Sequence, residues 1–158
     1  MYGLSPLGIF HLAVSIVALA SGAILLIRDK AIVSGNRLGQ VYILTTIVTC
    51  ISALGIYQHG GFGRAHVLAI LTLIVLGVAF VAGRNMFGKA SPYIETICYS
   101  ATFLFHMIPG ITEAATRLPY GAPLAAGPEE PALKAATGLL FLLFILGAVL
   151  QARRLKAA

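Results

Sequence analysis

Charged side chains are scarce in this chain: Asp, Glu, Lys and Arg make up 10% of 158 residues, and five of them are acidic. A soluble domain carries about 25% charge, so this composition leaves no room for an aqueous domain of any size. Cysteine is nearly absent as well, with Cys50 and Cys98 alone. They fall in different apolar runs at depths of about 18 and 9 Å, counted at the helical rise, so they are read as free packing residues and not as a disulfide. Nucleotide-binding loops, a nucleophile elbow and zinc-finger spacings are all missing, which excludes the familiar soluble chemistries. No His-x-x-x-His pair stands at ligand spacing either.

Apolar residues are what the chain has in quantity, at 59% hydrophobic with a mean hydropathy of +0.94. An apolar run of about 20 residues crosses roughly 30 Å of hydrocarbon. Runs of that kind cover residues 7–27, 38–57, 65–83, 92–117 and 133–150, the fourth expected to kink at Pro109. The expected fold is an all-α integral membrane protein forming a single domain over 1–158. Five transmembrane helices would build a compact up-down four-helix bundle plus a fifth helix, because short links make successive helices antiparallel neighbours. Ser91-Pro92 reads as an N-cap followed by proline at the first helical position. Ala18-Leu19-Ala20 mimics a signal cleavage site, yet no positive charge precedes the run and it continues to Ile27, so the span is expected to be retained.

The net charge of +6 has a topological cause rather than a nucleic-acid one. Arg28, Lys30, Arg37, Arg84, Lys89, Arg153, Arg154 and Lys156 fall at one end of the spans, against Arg64, Arg117 and Lys134 at the other. The positive-inside rule then puts the N-terminus outside and the C-terminus in the cytoplasm, with anionic-lipid contacts at the basic end. A multi-pass protein of a bacterial inner membrane is expected.

Three of the four histidines reach nearly one depth in three spans. Counted from each span's basic end, His11 lies about 24 Å up, His66 about 26 Å and His106 about 21 Å. Imidazole is costly in lipid, so such residues are expected to face the bundle interior or a polar cavity. Two facing histidines suffice for haem b, and three could hold a transition metal ion such as copper or zinc. The alternative is that each separately bonds a carbonyl or carboxylate in a wet outer cavity. Convergence of all three requires spans one and four both to neighbour span three. Glu113 has two readings: an i,i+4 ion pair with Arg117, or a carboxylate supporting the histidines. His59, in the loop after span two, could join the cluster. Glu95 is expected to pair with Arg84, Lys89 or Arg37. Tyr42, Tyr93, Tyr99 and Tyr120 are read as residues of the membrane interfaces.

Residues His11 to about Gly83 resemble the DUF2306-type bacterial membrane proteins. The resemblance rests on His11 in span one, on Arg37-Leu38-Gly39-Gln40-Val41-Tyr42 opening span two, and on Gly60-Gly61-Phe62-Gly63 before span three. The family often has histidine where Asn36 stands, and residues 90–158 do not follow its pattern. The resemblance implies a membrane fold and adds no activity. From the residues themselves, the first functional expectation is a small redox protein of the membrane, passing electrons between a quinone or reductant and an outer acceptor. A non-catalytic accessory subunit of a larger membrane complex is the alternative. A metal-dependent membrane hydrolase, with Glu113 as base, is the third.

Overall fold

The computed structural model describes residues 5–57, 61–119 and 121–157, and among these there is helix and no strand. Five long helices follow one another: α1 (Pro6–Arg28), α2 (Arg37–Leu54), α3 (Arg64–Gly83), α4 (Ser91–Arg117) and α5 (Pro131–Ala157). A 3-10 turn, Gly88–Ala90, precedes α4. Of these helices α1, α2, α3 and α5 are long and apolar enough to cross a membrane.

Local chemistry sets the helix starts. Ser5 accepts the Gly8 N–H at 3.1 Å, with Pro6 at the first helical position of α1. Asn36 accepts the Gly39 N–H at 2.7 Å and caps α2. Ser91 does not cap α4, contrary to expectation. The turn before it already brings Ala90 into helical geometry, so Ala90 is the N-cap and Ser91 the first helical residue. The Ser91 hydroxyl instead accepts the Phe87 N–H at 3.0 Å. Pro109 lies inside α4, and the helix continues past it to Arg117. Helix α5 extends beyond its apolar run at both ends and carries Arg153, Arg154 and Lys156.

Packing follows the expected ring. Helix α1 lies against α2, α2 against α3, α3 against α4 and α4 back against α1, while α5 packs on the outside of α4. Helices α1 and α3 therefore sit diagonally, and the expected contact between the first and third spans is not formed among the described residues. The core joins Leu25, Ile32, Tyr42, Leu76, Ala79 and Tyr99. Tyr42 and Tyr99, read from sequence as interfacial, are 0% and 2% exposed and belong to this core. Tyr120 and His59 lie outside the described residues.

Close approach is bought with glycine at two positions. A Cβ on Gly22 would come 2.6 Å from Phe103 and 2.8 Å from Tyr42. One on Gly39 would sit 1.8 Å from the Val33 carbonyl oxygen, inside the turn that Asn36 closes.

Candidate functional site

The inward face of α2 is built from hydroxyls. Tyr42, Thr46, Thr49 and Ser52 recur at helical spacing, and all four are buried. A hydroxyl in an apolar bundle needs a partner, because an unpaired one costs about 1–3 kcal/mol. Here the partners of Tyr42, Thr46 and Ser52 come from α1 and α4.

From α4, Thr102 and His106 reach across. The Tyr42 hydroxyl meets Thr102 Oγ1 at 2.8 Å, and Thr102 itself donates to the Tyr99 carbonyl at 2.7 Å. Thr102 has one proton and has spent it on that carbonyl, so Tyr42 is the donor between them. Thr46 is the next buried hydroxyl on that face of α2, one turn from Tyr42. One turn further along, His106 Nε2 lies 3.1 Å from Thr46 Oγ1, with its ring edge-on to Tyr42 at 6.3 Å. Thr46 can donate to His106 or accept from it, depending on the imidazole tautomer.

From α1, His11 enters one turn above. Its Nδ1 lies 3.1 Å from the Thr49 carbonyl oxygen and 2.9 Å from Ser52 Oγ. A carbonyl only accepts, so Nδ1 carries the proton. Ser52 Oγ donates to the same Thr49 carbonyl at 2.9 Å. Nε2 of His11 is thereby the atom with the free lone pair. His106 and Glu113 are both electrostatic neighbours of this ring.

His66 is held apart from this pair. Its Nδ1 accepts the Gly63 N–H at 3.1 Å, which closes the first turn of α3 and leaves the proton on Nε2. The ring lies between Tyr57, 4.8 Å away, and Phe62, 5.1 Å away. Among the described residues, Nε2 of His66 is buried without a partner, as is Thr49 Oγ1. A ring whose lone pair is taken by a backbone amide does not present it to a metal. Among the described residues, no three His, Cys, Asp or Glu side chains are grouped to hold a metal ion. The structure thus brings His11 and His106 together on consecutive turns of α2 and places His66 elsewhere.

The acidic residues divide in the same way. Glu113 is paired with Arg117 through a short contact to Nε, as the i,i+4 reading expects, and it also faces His11 electrostatically. Glu95 finds none of the expected basic partners. Gly83 offers no Cβ, so the carboxylate nests against it, where a Cβ would be 3.1 Å from Oε1. That position turns Glu95 inward to Ser34, whose hydroxyl donates to Oε1 at 2.7 Å. Tyr99 lies one turn of α4 beyond Glu95 and feels its charge. Arg84 instead lies over the Phe80 ring at 4.2 Å. Cys50 and Cys98 are both free thiols.

Taken from the basic end upward, Glu95, Ser34 and Tyr99 form one polar segment, and Thr102, Tyr42, Thr46 and His106 form a second. His11, Ser52 and Glu113 form the third. From sequence, Thr46 and Thr49 are left out and Tyr42 is taken for an interfacial residue, although Tyr42, Thr46, Thr49 and Ser52 show an i, i+4, i+7, i+10 stripe. Compared with protein-family models, with curated proteins and with solved structures, the chain shows no match.

Proposed function

We propose that this chain is a five-span protein of a bacterial inner membrane whose polar column passes protons between Glu95 near the cytoplasmic face and His11 with Glu113 near the outer face. Support for the sidedness comes from the clustering of basic residues at one end. The observation that carries the proposal is the pair of hydrogen bonds that α4 makes across the bundle diagonal to adjacent turns of α2, Thr102–Tyr42 and His106–Thr46. Buried protonatable groups inside a membrane are costly, and chains of them mark proton relays. Each hydroxyl in these bonds can give one proton and take another, and His106 can do the same through its two ring nitrogens. The steps from Tyr99 to Thr102 and from His106 to His11 each require a bridging water, which polar walls can hold.

Proton flux into vesicles containing the purified protein, read with an entrapped pH dye, tests this. The wild type is expected to equilibrate an imposed pH gradient severalfold faster than protein-free vesicles. Y42F, which removes a proton carrier and keeps the ring, should return the flux toward that baseline. So should E95Q, which keeps an acceptor for Ser34 and loses the carboxyl proton. A wild-type flux equal to that of empty vesicles would sink the proposal. A C-terminal reporter found outside the cell would reverse the sidedness.

The redox reading keeps one specific support. Anchoring Nδ1–H on a carbonyl is how ligating histidines are oriented, and His11 is held that way on Thr49 with Nε2 free. In that reading His11 and His106 hold haem b or a copper or zinc ion. A visible spectrum with a Soret band, or copper or zinc in stoichiometric amount by elemental analysis, would put it ahead of the relay. The proposed kinship of residues 11–83 with DUF2306-type proteins is compatible with either reading.

A further inference from the structure

The face of α4 that turns away from the polar column meets α5 along a groove of about 300 Å³. Its walls are apolar: Leu26 of α1, Phe103 and Met107 of α4, Leu143 and Phe144 of α5. From Leu140 to Gln151 it follows twelve residues of α5, a rise of about 16 Å, close to the depth of one leaflet. Its polar end is made by Ser100 and Gln151, both buried. Ser100 donates to Gln151 Oε1 at 3.0 Å, and Gln151 Nε2 donates to the Lys30 carbonyl at 2.9 Å.

These two bonds fix what lies at the mouth. Lys30, in the link after α1, is tied to the end of α5, and Arg153 and Arg154 follow within one turn of Gln151. Lys30 Nζ donates to the Ile27 carbonyl at 2.6 Å, and no acidic side chain pairs with it among the described residues. Arg153 and Arg154 are exposed, and no acidic side chain pairs with them among the described residues. An apolar slot about one leaflet deep therefore ends beside a basic segment of the chain, with Lys30 and, within one turn of Gln151, the exposed Arg153 and Arg154.

We infer that this groove holds an acyl chain of an anionic phospholipid, with the phosphate on Lys30, Arg153 and Arg154. Basic pockets beside transmembrane helices at the cytoplasmic face suit such headgroups. The charge lies outside the slot and the apolar surface inside it, which is the order in which a phospholipid presents the two. A quinone would need its ring carbonyls met inside the slot. There the Ser100 proton and one Gln151 amide proton are already spent on protein acceptors. The inference rests on the helices spanning a membrane and is independent of the proton column.

Native mass spectrometry of the protein in neutral detergent tests it, with phosphatidylglycerol and phosphatidylcholine of identical chains as probes. Phosphatidylglycerol is expected to be retained as one tightly held lipid per chain, with a preference over phosphatidylcholine of about fivefold per basic residue engaged. R153Q/R154Q, both exposed and away from the bundle interior, should fold normally and lose most of that preference. A phosphatidylglycerol carrying a photoreactive group on its acyl chain should crosslink to α4 and α5 near Phe103, Met107 and Leu143. Equal retention of the two lipids, or crosslinks spread evenly over all helices, would overturn the inference. Displacement of the lipid by a stoichiometric quinone would overturn it too.

Discussion

The hydroxyl of Tyr42 on α2 donates to that of Thr102 on α4 across the bundle diagonal at 2.8 Å, with both side chains 0% exposed. The bond is directional, because Thr102 has already given its proton to the Tyr99 carbonyl. Donor and acceptor therefore lose unequally when either is removed.

Tyr42→Phe takes away the donor and leaves Thr102 bonded to its own helix, so the expected loss is about 1 kcal/mol or less. Thr102→Val removes the acceptor of the buried Tyr42 hydroxyl and should cost about 1–2 kcal/mol. Equilibrium unfolding in mixed micelles measures both. A larger loss for the tyrosine variant would mean that the assigned direction is reversed.

Three glycines should rank by what their missing Cβ would strike. Gly39→Ala drives a methyl into the Val33 carbonyl, a backbone group held by the capped turn, and should cost more than about 3 kcal/mol or abolish folded yield. Gly22→Ala meets Phe103 and Tyr42, which can give somewhat, at about 1–3 kcal/mol. Gly77→Ala finds nothing within 4 Å and should change stability by less than about 0.5 kcal/mol. Melting temperatures in one detergent suffice to check the order.

Glu129 accepts from Arg64 at 2.6 Å and pairs with Lys134 at 3.0 Å, joining the starts of α3 and α5. Arg64 first, and Lys134 second, hold its carboxyl below the usual carboxylate range. A group with a depressed folded pKa contributes above its unfolded value, about 4.3, and loses that contribution as pH falls through the folded one. Hydrogen exchange in the segment before α5 should therefore rise on acidification below about pH 4 in the wild type. Glu129→Gln should show the faster exchange already at neutral pH, with no acid step. An acid step of equal size in both proteins would assign it elsewhere.

Helix placement was legible because an apolar run long enough to cross a bilayer has few other uses. The capping chemistry was readable too, but only in part. Ser-Pro starts α1 at Ser5-Pro6 as the motif implies, whereas at Ser91-Pro92 a preceding 3-10 turn takes over the cap. Depth along a helix can be counted, and His11 and His106 do meet successive turns of α2. Direction around the helix cannot be counted so easily. His66 shares the general depth, but its ring is captured by Gly63, Tyr57 and Phe62, contacts that depend on how a glycine-rich loop folds. The hydroxyl stripe of α2 was hidden for another reason. A membrane serine or threonine can bond its own helix, as Thr45 does to Val41 at 2.7 Å, so spacing alone does not reveal which hydroxyls cross to a neighbour.

Helix α4 touches α1, α3 and α5, yet it is the long helix that is not apolar enough to cross a membrane by its own composition. Its Glu95, Tyr99, Ser100, Thr102 and His106 all bond to, or lie among, groups supplied by other parts of the chain. During synthesis these side chains emerge after α1, α2 and α3 and before α5. In the five-span arrangement proposed above, the nascent segment enters the lipid against helices already in place, where Tyr42 and Thr46 can receive it. In that arrangement biogenesis is expected to be ordered: the first three helices insert by their own hydropathy, and the fourth is recruited by them. A ribosome-bound chain lacking α2 would leave the fourth segment in the aqueous channel.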